Sequence, residues 1–416
     1  MRQIVSPLSG LISPLGQLRS STSLSAYAVN NFDPSLVFDF EQNYYRTGGE
    51  DSTLSNSVTH TRASSATMTN SSGTLVTVGN NVARVGHHIY NGSAWVNEGI
   101  LHESEARTNL ITYSSDFTDS SYSKGNVTIG SDNIVAPDGT TTADTLTATG
   151  SSYIQSTLNS ANTSIGYTLS VWMKVPSGTT PVDMGNIDAG VYVTKTVTTD
   201  WQLFSITQTP SATTRYPRVF RKTSGDVTVH IWGAQLEAGS TPSSYIPTSG
   251  STVTRAAETL TVSAANLPYD STNMSIQIDG KMTYADTSST FQAMFWNWSL
   301  NNNNNMKVHL DTNSGKVGYP RYVQKANGVT DRCDSAPTDT YSPGINVPFN
   351  LASRHGSTFV NGAADGTSFT VNATPTALPD LSASDLTFGS IFMGTIGKFR
   401  VWSDDLTDNG IEEAST

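Results

Sequence analysis

Gly394-Thr395-Ile396-Gly397-Lys398-Phe399-Arg400-Val401-Trp402, followed by Ser403-Asp404-Asp405-Leu406-Thr407 and Ile411, is the stretch on which the reading of this 416-residue chain turns. Ile396, Phe399 and Val401 are spaced to point into a sandwich core, while Lys398, Arg400 and the Asp404-Asp405 turn are expected to stay in water. The same short alternation recurs upstream, in Leu36-Val37-Phe38-Asp39-Phe40, Thr74 to Val78, Tyr167 to Met173, Val227 to Trp232 and Met274 to Gly280. Gly, Pro, Asn and Asp punctuate the gaps, and Asp311-Thr312-Asn313-Ser314-Gly315 reads as a hairpin-like turn. No helix-length amphipathic run occurs between about 111 and 250.

Composition bounds the answer. A chain of this length predicts two or three domains, and with 14% charged and 36% hydrophobic residues it has the mix of turn-rich all-β proteins. The formal net charge of -11 argues against nucleic acid or an anionic membrane as partner. One cysteine, Cys333, permits no intrachain disulfide, so a disulfide-stapled scaffold is excluded. No window approaches the roughly 18 to 20 apolar residues of a membrane span. Met1-Arg2-Gln3-Ile4-Val5 starts like a signal peptide, but Pro7, Gly10, Pro14 and Gly16 break the apolar stretch, so export by a standard signal is not expected.

Four stretches follow from these shifts. Residues 1–35 carry the short repeat Ser6-Pro7-Leu8-Ser9-Gly10 and Ser13-Pro14-Leu15-Gly16, too kinked to bury its own leucines. They read either as a disordered tail or as an extended segment that docks on another protein through Pro7, Leu8, Pro14 and Leu15. Residues 36–110 form a small β-rich unit and connector, 111–255 a jelly roll, and 256–416 a second β-sandwich. Val253-Thr254-Arg255-Ala256-Ala257 echoes Val58-Thr59-His60-Thr61-Arg62-Ala63 and is taken as the connector into the last unit. The predicted fold class is all-β, with tandem antiparallel sandwiches behind an extended N-terminal segment.

The closing stretch is similar to the last strand and turn of laminin-G and concanavalin-A-like domains. Val58 to Thr67 and Gly99 to Leu110 resemble, in that order, V-T-x-T-R-A-S-S-A-T and G-L-L-I-E-x-A-R-T-N-L of structural proteins from tailed bacteriophages and prophages. His102 and Ser104 depart from the second motif. Ala136 to Asp144, and Trp232-Gly233-Ala234-Gln235-Leu236-Glu237 leading to Ser244-Tyr245-Ile246-Pro247-Thr248, extend the likeness. In the related phage chains that span looks like a carbohydrate-binding-module jelly roll. The resemblance implies a virion structural protein, a head or tail fibre or decoration component on the virion exterior. It would dock on other virion proteins through residues 1–35, assemble as a homo-oligomer, with a trimer expected, and bind host-surface glycan. A purely architectural connector is the alternative, and a glycan-degrading enzyme ranks below both.

No catalytic residues are assigned. Concanavalin-A-like hydrolases carry two or three carboxylates on one strand, whereas Ile276 to Gly280 offers only Asp279. Glu103 and Glu105 share a strand face but lie in the connector. His87-His88, adjacent on a strand, would point to opposite faces and chelate poorly. No cofactor is expected beyond a structural calcium ion, for which Asp138 with Asp144, or Asp311 with Asn313, have suitable spacing; ordinary turn chemistry explains the same residues. For glycan, the candidates are the aromatic faces of Trp296, Trp298, Tyr122 and Tyr153, with a place in the core as the competing reading. Trp172, Trp232 and Trp402 are assigned to the core.

Overall fold

Leu36–Asp39 is buried at all four positions, and a strand with no wet face has to lie inside a sheet. It does, pairing antiparallel with Tyr44–Thr47 on one side and Met393–Trp402 on the other, so that Phe38 faces Phe399 and Leu36 faces Val401. The computed structural model describes residues 24–285, 294–312, 317–333 and 341–416. In it the first sandwich is made from both ends of the chain. One sheet runs Thr367–Ser368, Val360–Ala364, Gly344–Gly356, Asn273–Tyr284, Met393–Trp402, Leu36–Asp39, Tyr44–Thr47, Glu50–Ser52, with Ile100–Glu103 also on Met393–Trp402 and Arg84–Val85 beyond it. The facing sheet runs Val329–Cys333, Tyr319–Ala326, Asn304–Asp311, Met294–Asn301, Leu386–Phe388, Thr259–Val262, Thr59–Thr61.

The closing strand behaves as read at Ile396, Phe399 and Val401, all fully buried. Ile396 and Phe399 are an odd number of residues apart, and strict alternation would put them on opposite faces. A bulge resolves this: Ile278 pairs with Phe399, but the next register pair is Gly280 with Ile396. Lys398 and Arg400 are not simply wet. Lys398 Nζ binds Glu41 Oε2 at 3.0 Å, and Arg400 donates to Gln277 Oε1 and to the carbonyls of Tyr27 and Ala414. Arg400 thereby ties the segment around Tyr27 and the C-terminal helix Thr407–Ala414 to one sheet face.

That contact moves the expected boundary at residue 35. Tyr27 and Val29 are buried, Val29 in a small cluster with Trp402, Leu406 and Ile411, so the chain from residue 24 onward is already part of the sandwich. Pro7, Leu8, Pro14 and Leu15 lie outside the described residues.

The 36–110 stretch is likewise not a separate unit. Its strands Leu36–Asp39, Thr59–Thr61 and Ile100–Glu103 are built into both sheets of the C-terminal sandwich. The jelly roll therefore interrupts one sandwich instead of joining two in a row. Its strand order is Tyr192–Val197, Thr180–Gly185, Arg218–Lys222, Ala143–Gln155, Val227–Ala238, Tyr167–Lys174, Gln202–Gln208, with Ser123–Ile134 beside Ala143–Gln155. It has its own core, including Phe117, Leu146, Val171, Phe220 and Ile231. The chain enters and leaves it through one two-stranded ribbon, Arg107–Asn109 against Val253–Arg255. Among the described residues no helix is long and apolar enough to cross a membrane.

Candidate functional site

Where the inserted domain meets the sandwich, five charged side chains are almost wholly withdrawn from water: Arg62, Arg84, Glu103, Arg255 and Glu258. Glu258 Oε1 accepts from Arg62 Nη1 at 2.5 Å and Arg84 Nε at 2.9 Å, while Oε2 accepts from Arg84 Nη2 and the Glu103 amide, both at 2.8 Å. Glu103 Oε2 lies 2.7 Å from Arg84 Nη2 and 3.1 Å from Arg255 Nε. The Ser244 amide and hydroxyl, from the jelly roll, close on the same carboxylate at 2.7 and 2.6 Å. Burial alone pushes the Glu103 carboxyl up, but Arg255 and Arg84 outweigh it and bring it down to about 2. The same contest, with His60 and Arg84 as the opposing neighbours, leaves Glu258 well below the usual carboxylate range.

Glu258 accepts two donors at each oxygen, and Glu103 is clamped by Arg84 and Ser244, so both carboxylates are committed to protein donors. The cluster is a joint. Val58 to Thr67 delivers Arg62 to it, Gly99 to Leu110 delivers Glu103, and Trp232 to Thr248 delivers Ser244, while Arg255 comes from the echo Val253 to Ala257. Glu105, the partner weighed with Glu103, instead binds the buried Arg107 at 2.6 Å, with its own carboxylate part-exposed. His102, which departs from the motif, packs fully buried against Phe392 and is driven by burial down to about 4, so it is neutral at pH 7.

Above the joint opens a cleft of about 340 Å³, with Glu103 and Ser244 at its floor. One wall is the hairpin His88–Tyr90 and Trp95–Asn97, a second is the jelly-roll surface of Trp172, Trp201 and Leu203, and a third is the sandwich edge at Ile345 and Asn346. Tyr90 (52% exposed), Leu203 (43%), Ile345 (54%) and Trp95 (38%) stand at its mouth, so large apolar side chains left in water converge on one opening. Tyr90 and Trp95 are fixed against each other with ring centroids 5.3 Å apart. Trp95 lies flat on Gly73, where an added Cβ would come within 2.3 Å of the indole and where φ is +77°. Trp201 is held by its indole N–H, which donates to the Val135 carbonyl at 3.0 Å, and by the Lys174 ammonium 5.0 Å over its ring. His87, at the back, accepts from the Thr69 amide through Nδ1, and burial lowers it to about 4. The cleft thus offers aromatic faces, hydroxyls and a neutral imidazole, the groups that stack on sugar C–H faces and bind sugar hydroxyls.

Most of the residues singled out from sequence are elsewhere. Trp296 and Trp298 are 1% and 0% exposed and belong to the sandwich core, Trp298 with its indole N–H on the Ser384 carbonyl. Neither can meet a sugar. Tyr122 is buried in the jelly-roll core with its hydroxyl on the Tyr113 carbonyl. Tyr153 alone of the four keeps partial exposure, with the Arg218 guanidinium over its ring. Trp232 and Trp402 are core, whereas Trp172 is only partly buried and lines the cleft.

The calcium candidates are also engaged. Asp138 Oδ1 accepts from the Thr140 amide and hydroxyl, the turn chemistry that was the alternative. Asp144 is buried and takes the amides of Phe117 and Asp132. Asp311 pairs with Arg321, and Asn313 lies outside the described residues. Among the described residues no three His, Cys, Asp or Glu side chains gather as a metal site.

The cleft residues Tyr90, Trp95 and Trp201 were missed. Asn91-Gly92 between two aromatic-bearing segments is a hairpin signal that would have placed Tyr90 and Trp95 side by side; nothing local in the sequence brings Trp201 to them.

No family model matches the chain, and no curated protein matches it. Parts of it overlap solved structures. The binding domain of botulinum neurotoxin DC in complex with rat synaptotagmin II overlaps at 12% identity and a TM-score of 0.30, over 38% of this chain and 39% of that one. The CBM40 of Ruminococcus gnavus IT-sialidase bound to alpha2,6 sialyllactose overlaps at 15% identity and 0.28, over 35% and 84%. A botulinum neurotoxin type C structure, whose description ties cell entry to interaction with two ganglioside molecules, overlaps at 12% identity and 0.29, over 39% and 40%. This chain spans about two-fifths of the neurotoxin chains, and overlap this weak assigns neither ligand nor partner.

Proposed function

We propose that this protein is a structural component of a tailed-bacteriophage or prophage virion, a head or tail fibre or decoration part that adheres to host-surface glycan without turning it over. The observation that carries the adhesive part is the convergence of Tyr90, Trp95, Trp201 and Leu203 on one cleft whose only carboxylate among the described residues, Glu103, is clamped by Arg84 and Ser244. The virion part rests on the resemblance of Val58 to Thr67, Gly99 to Leu110 and Trp232 to Thr248. In this reading the N-terminal segment docks on other virion proteins, the chain works as a homo-oligomer, a trimer being expected, and several weak sites on one particle supply the affinity by multivalency.

A hydrolase would need a carboxylate pair facing a substrate. Glu41 and Asp279 do approach each other across Gly397, and burial raises both. Lys398 occupies them, however, with Nζ on Glu41 and its amide on Asp279 Oδ1 at 2.7 Å, and neither lines the cleft.

The test is binding of labelled full-length protein to candidate host cells before and after periodate oxidation of surface sugars, with Trp95→Ala and Tyr90→Ala beside the wild type. Saturable, periodate-sensitive binding that both variants lose is the expected result. Binding insensitive to periodate and to both variants, by protein verified as folded and oligomeric, would replace adhesion with the architectural reading.

A further inference from the structure

We propose a second saccharide site, for a carboxylate-bearing sugar, on the outer face of the jelly-roll sheet, where the Arg218 guanidinium stands between the rings of Tyr153 and Tyr192. Cross-strand register puts these groups on one face. Tyr153 and Asp183 both pair with Arg221, Gln155 and Gly185 both pair with Arg218, and Gly185 pairs with Tyr192. Val219 and Phe220, between the two arginines, are fully buried on the core side. The bare backbone of Gly125 lets the Tyr153 ring lie down, since a Cβ there would come within 2.4 Å of it. Arg218 Cζ then sits 4.4 Å from the Tyr153 centroid and 5.7 Å from that of Tyr192, and Arg221 Cζ is 4.1 Å from Tyr192.

The two arginines differ in how their charge is met. Arg221 is paired with Asp183 at 2.7 Å. Arg218 spends only Nε, on the neutral amide oxygen of Gln155 at 3.1 Å, and no described carboxylate pairs with it. Its two terminal nitrogens keep the parallel fork that a planar carboxylate accepts bidentately, held in place by the flanking rings. In a chain of net charge -11 a fixed, unmatched cation among tyrosines selects a ligand that brings one anionic group and one apolar ring face. A uronate or a sialate has both. A nucleic acid carries its charge on a phosphodiester linkage, not on the ring that would stack, so it does not present the carboxylate and the apolar face together.

This inference rests on the glycan-adhesion reading for its biological sense but is measured separately from it. Trigalacturonate and 3′-sialyllactose, with maltotriose and lactose as neutral counterparts, are titrated into the full chain by calorimetry and ligand-observed NMR. One or both acids bind at least about tenfold more tightly than their neutral counterparts, and which one identifies the source of the carboxylate. Arg218→Gln weakens the binding about tenfold or more, the scale of a lost charge-assisted pair. Arg218→Lys fails to restore it because an ammonium has no fork, and Trp95→Ala leaves it intact. Should Arg218→Gln misfold, Tyr192→Ala on the edge strand Tyr192–Val197 gives the same readout. In the Trp95→Ala chain, whose first cleft is disabled, equal binding of the neutral sugars, binding unchanged by adding Arg218→Gln, tighter binding of oligothymidylate than of either acid, or no binding of either acid by folded protein would overturn the site. A chain that binds an acid through Arg218 yet no host cell overturns the adhesion reading alone.

Discussion

Replacing Glu258 by Gln tests whether the buried charge cluster holds the two sandwiches together. The carboxylate accepts from Arg62, twice from Arg84, and from the Glu103 amide. An amide of the same shape keeps one acceptor oxygen and turns an N–H group toward donors. The cluster holds three arginines and two glutamates, so the substitution raises its excess positive charge from one to two among side chains that are almost wholly buried. Breaking a buried pair from one side costs about 3–5 kcal/mol, because the abandoned charge cannot be resolvated. For a unit of roughly 200 residues that is a fall in Tm of about 6–20 °C. Calorimetry reads it, and the jelly roll supplies an internal standard, since its separate core melts as before while the sandwich transition moves down and away from it. Glu105→Gln is the matched control. Its bond to Arg107 is as short, but the carboxylate is 35% exposed and stays partly solvated, so losing its charge costs less than losing that of the wholly buried Glu258. If Glu258→Gln moves no transition by more than Glu105→Gln does, the cluster is not what joins the domains.

Other outcomes follow from the same structure. Burial depresses His87 and His102 to about 4 and His309 and His355 to about 3. A folded value below the unfolded one makes stability full above about pH 6.5 and lost as pH falls toward 4, by up to roughly 5 kcal/mol per pH unit with all four titrating; a Tm flat from pH 7 to 5 would contradict this. The depressed Glu103 adds loss of about 3 kcal/mol only further down, between about pH 4.5 and 2. Gly73→Ala drives a Cβ into the Trp95 indole, so cell binding and tryptophan emission should change together while the sandwich and jelly-roll transitions stay in place. Trp298→Ala, by contrast, should cost about 3–5 kcal/mol and leave glycan affinity of the remaining folded protein untouched, because the side chain never reaches the surface.

The sequence made the strands and the sandwich class legible because burial with period two is a local signal: Phe399 and Val401 obey it, whereas Ile396 shares their face only through the bulge at Gly397 and Lys398. Topology was not local. Nothing in Leu36–Asp39 says that its neighbour is Met393–Trp402, more than 350 residues away, so residues 36–110 read as a unit of their own when their strands belong to the last one. The echo between Val58 to Ala63 and Val253 to Ala257 was visible. Its meaning was not, because Arg62 and Arg255 find the same cluster only after the jelly roll has looped out between them. Site residues failed for a related reason. Large aromatics stack on sugars and fill cores equally well, and which they do depends on the facing sheet; Trp298 has one over it, and Trp95 has water.

The joint also explains why recognisable sequence and binding surface fall in different places. An inserted domain leaves and returns through a single ribbon, here Arg107–Asn109 against Val253–Arg255, and a two-stranded ribbon alone is too weak to set an orientation. Arg62, Arg84, Glu103, Ser244 and the Arg255–Glu258 connector are five separate places in the chain, and their side chains satisfy one another only when both sandwiches and the ribbon are in register. A cluster of that kind punishes every misplacement with an unpaired buried charge, which makes it a device for arrangement even where apolar packing would be more stabilising. Tyr90, Trp95, Trp201, Leu203 and Ile345 make no bond to it. Exchanging the tip from Tyr90 to Trp95 for another hairpin should therefore change which glycan is held while calorimetry shows both transitions unmoved. A graft that shifts the sandwich transition as far as Glu258→Gln does would show that the cleft and the joint are one cooperative element and not two separate ones.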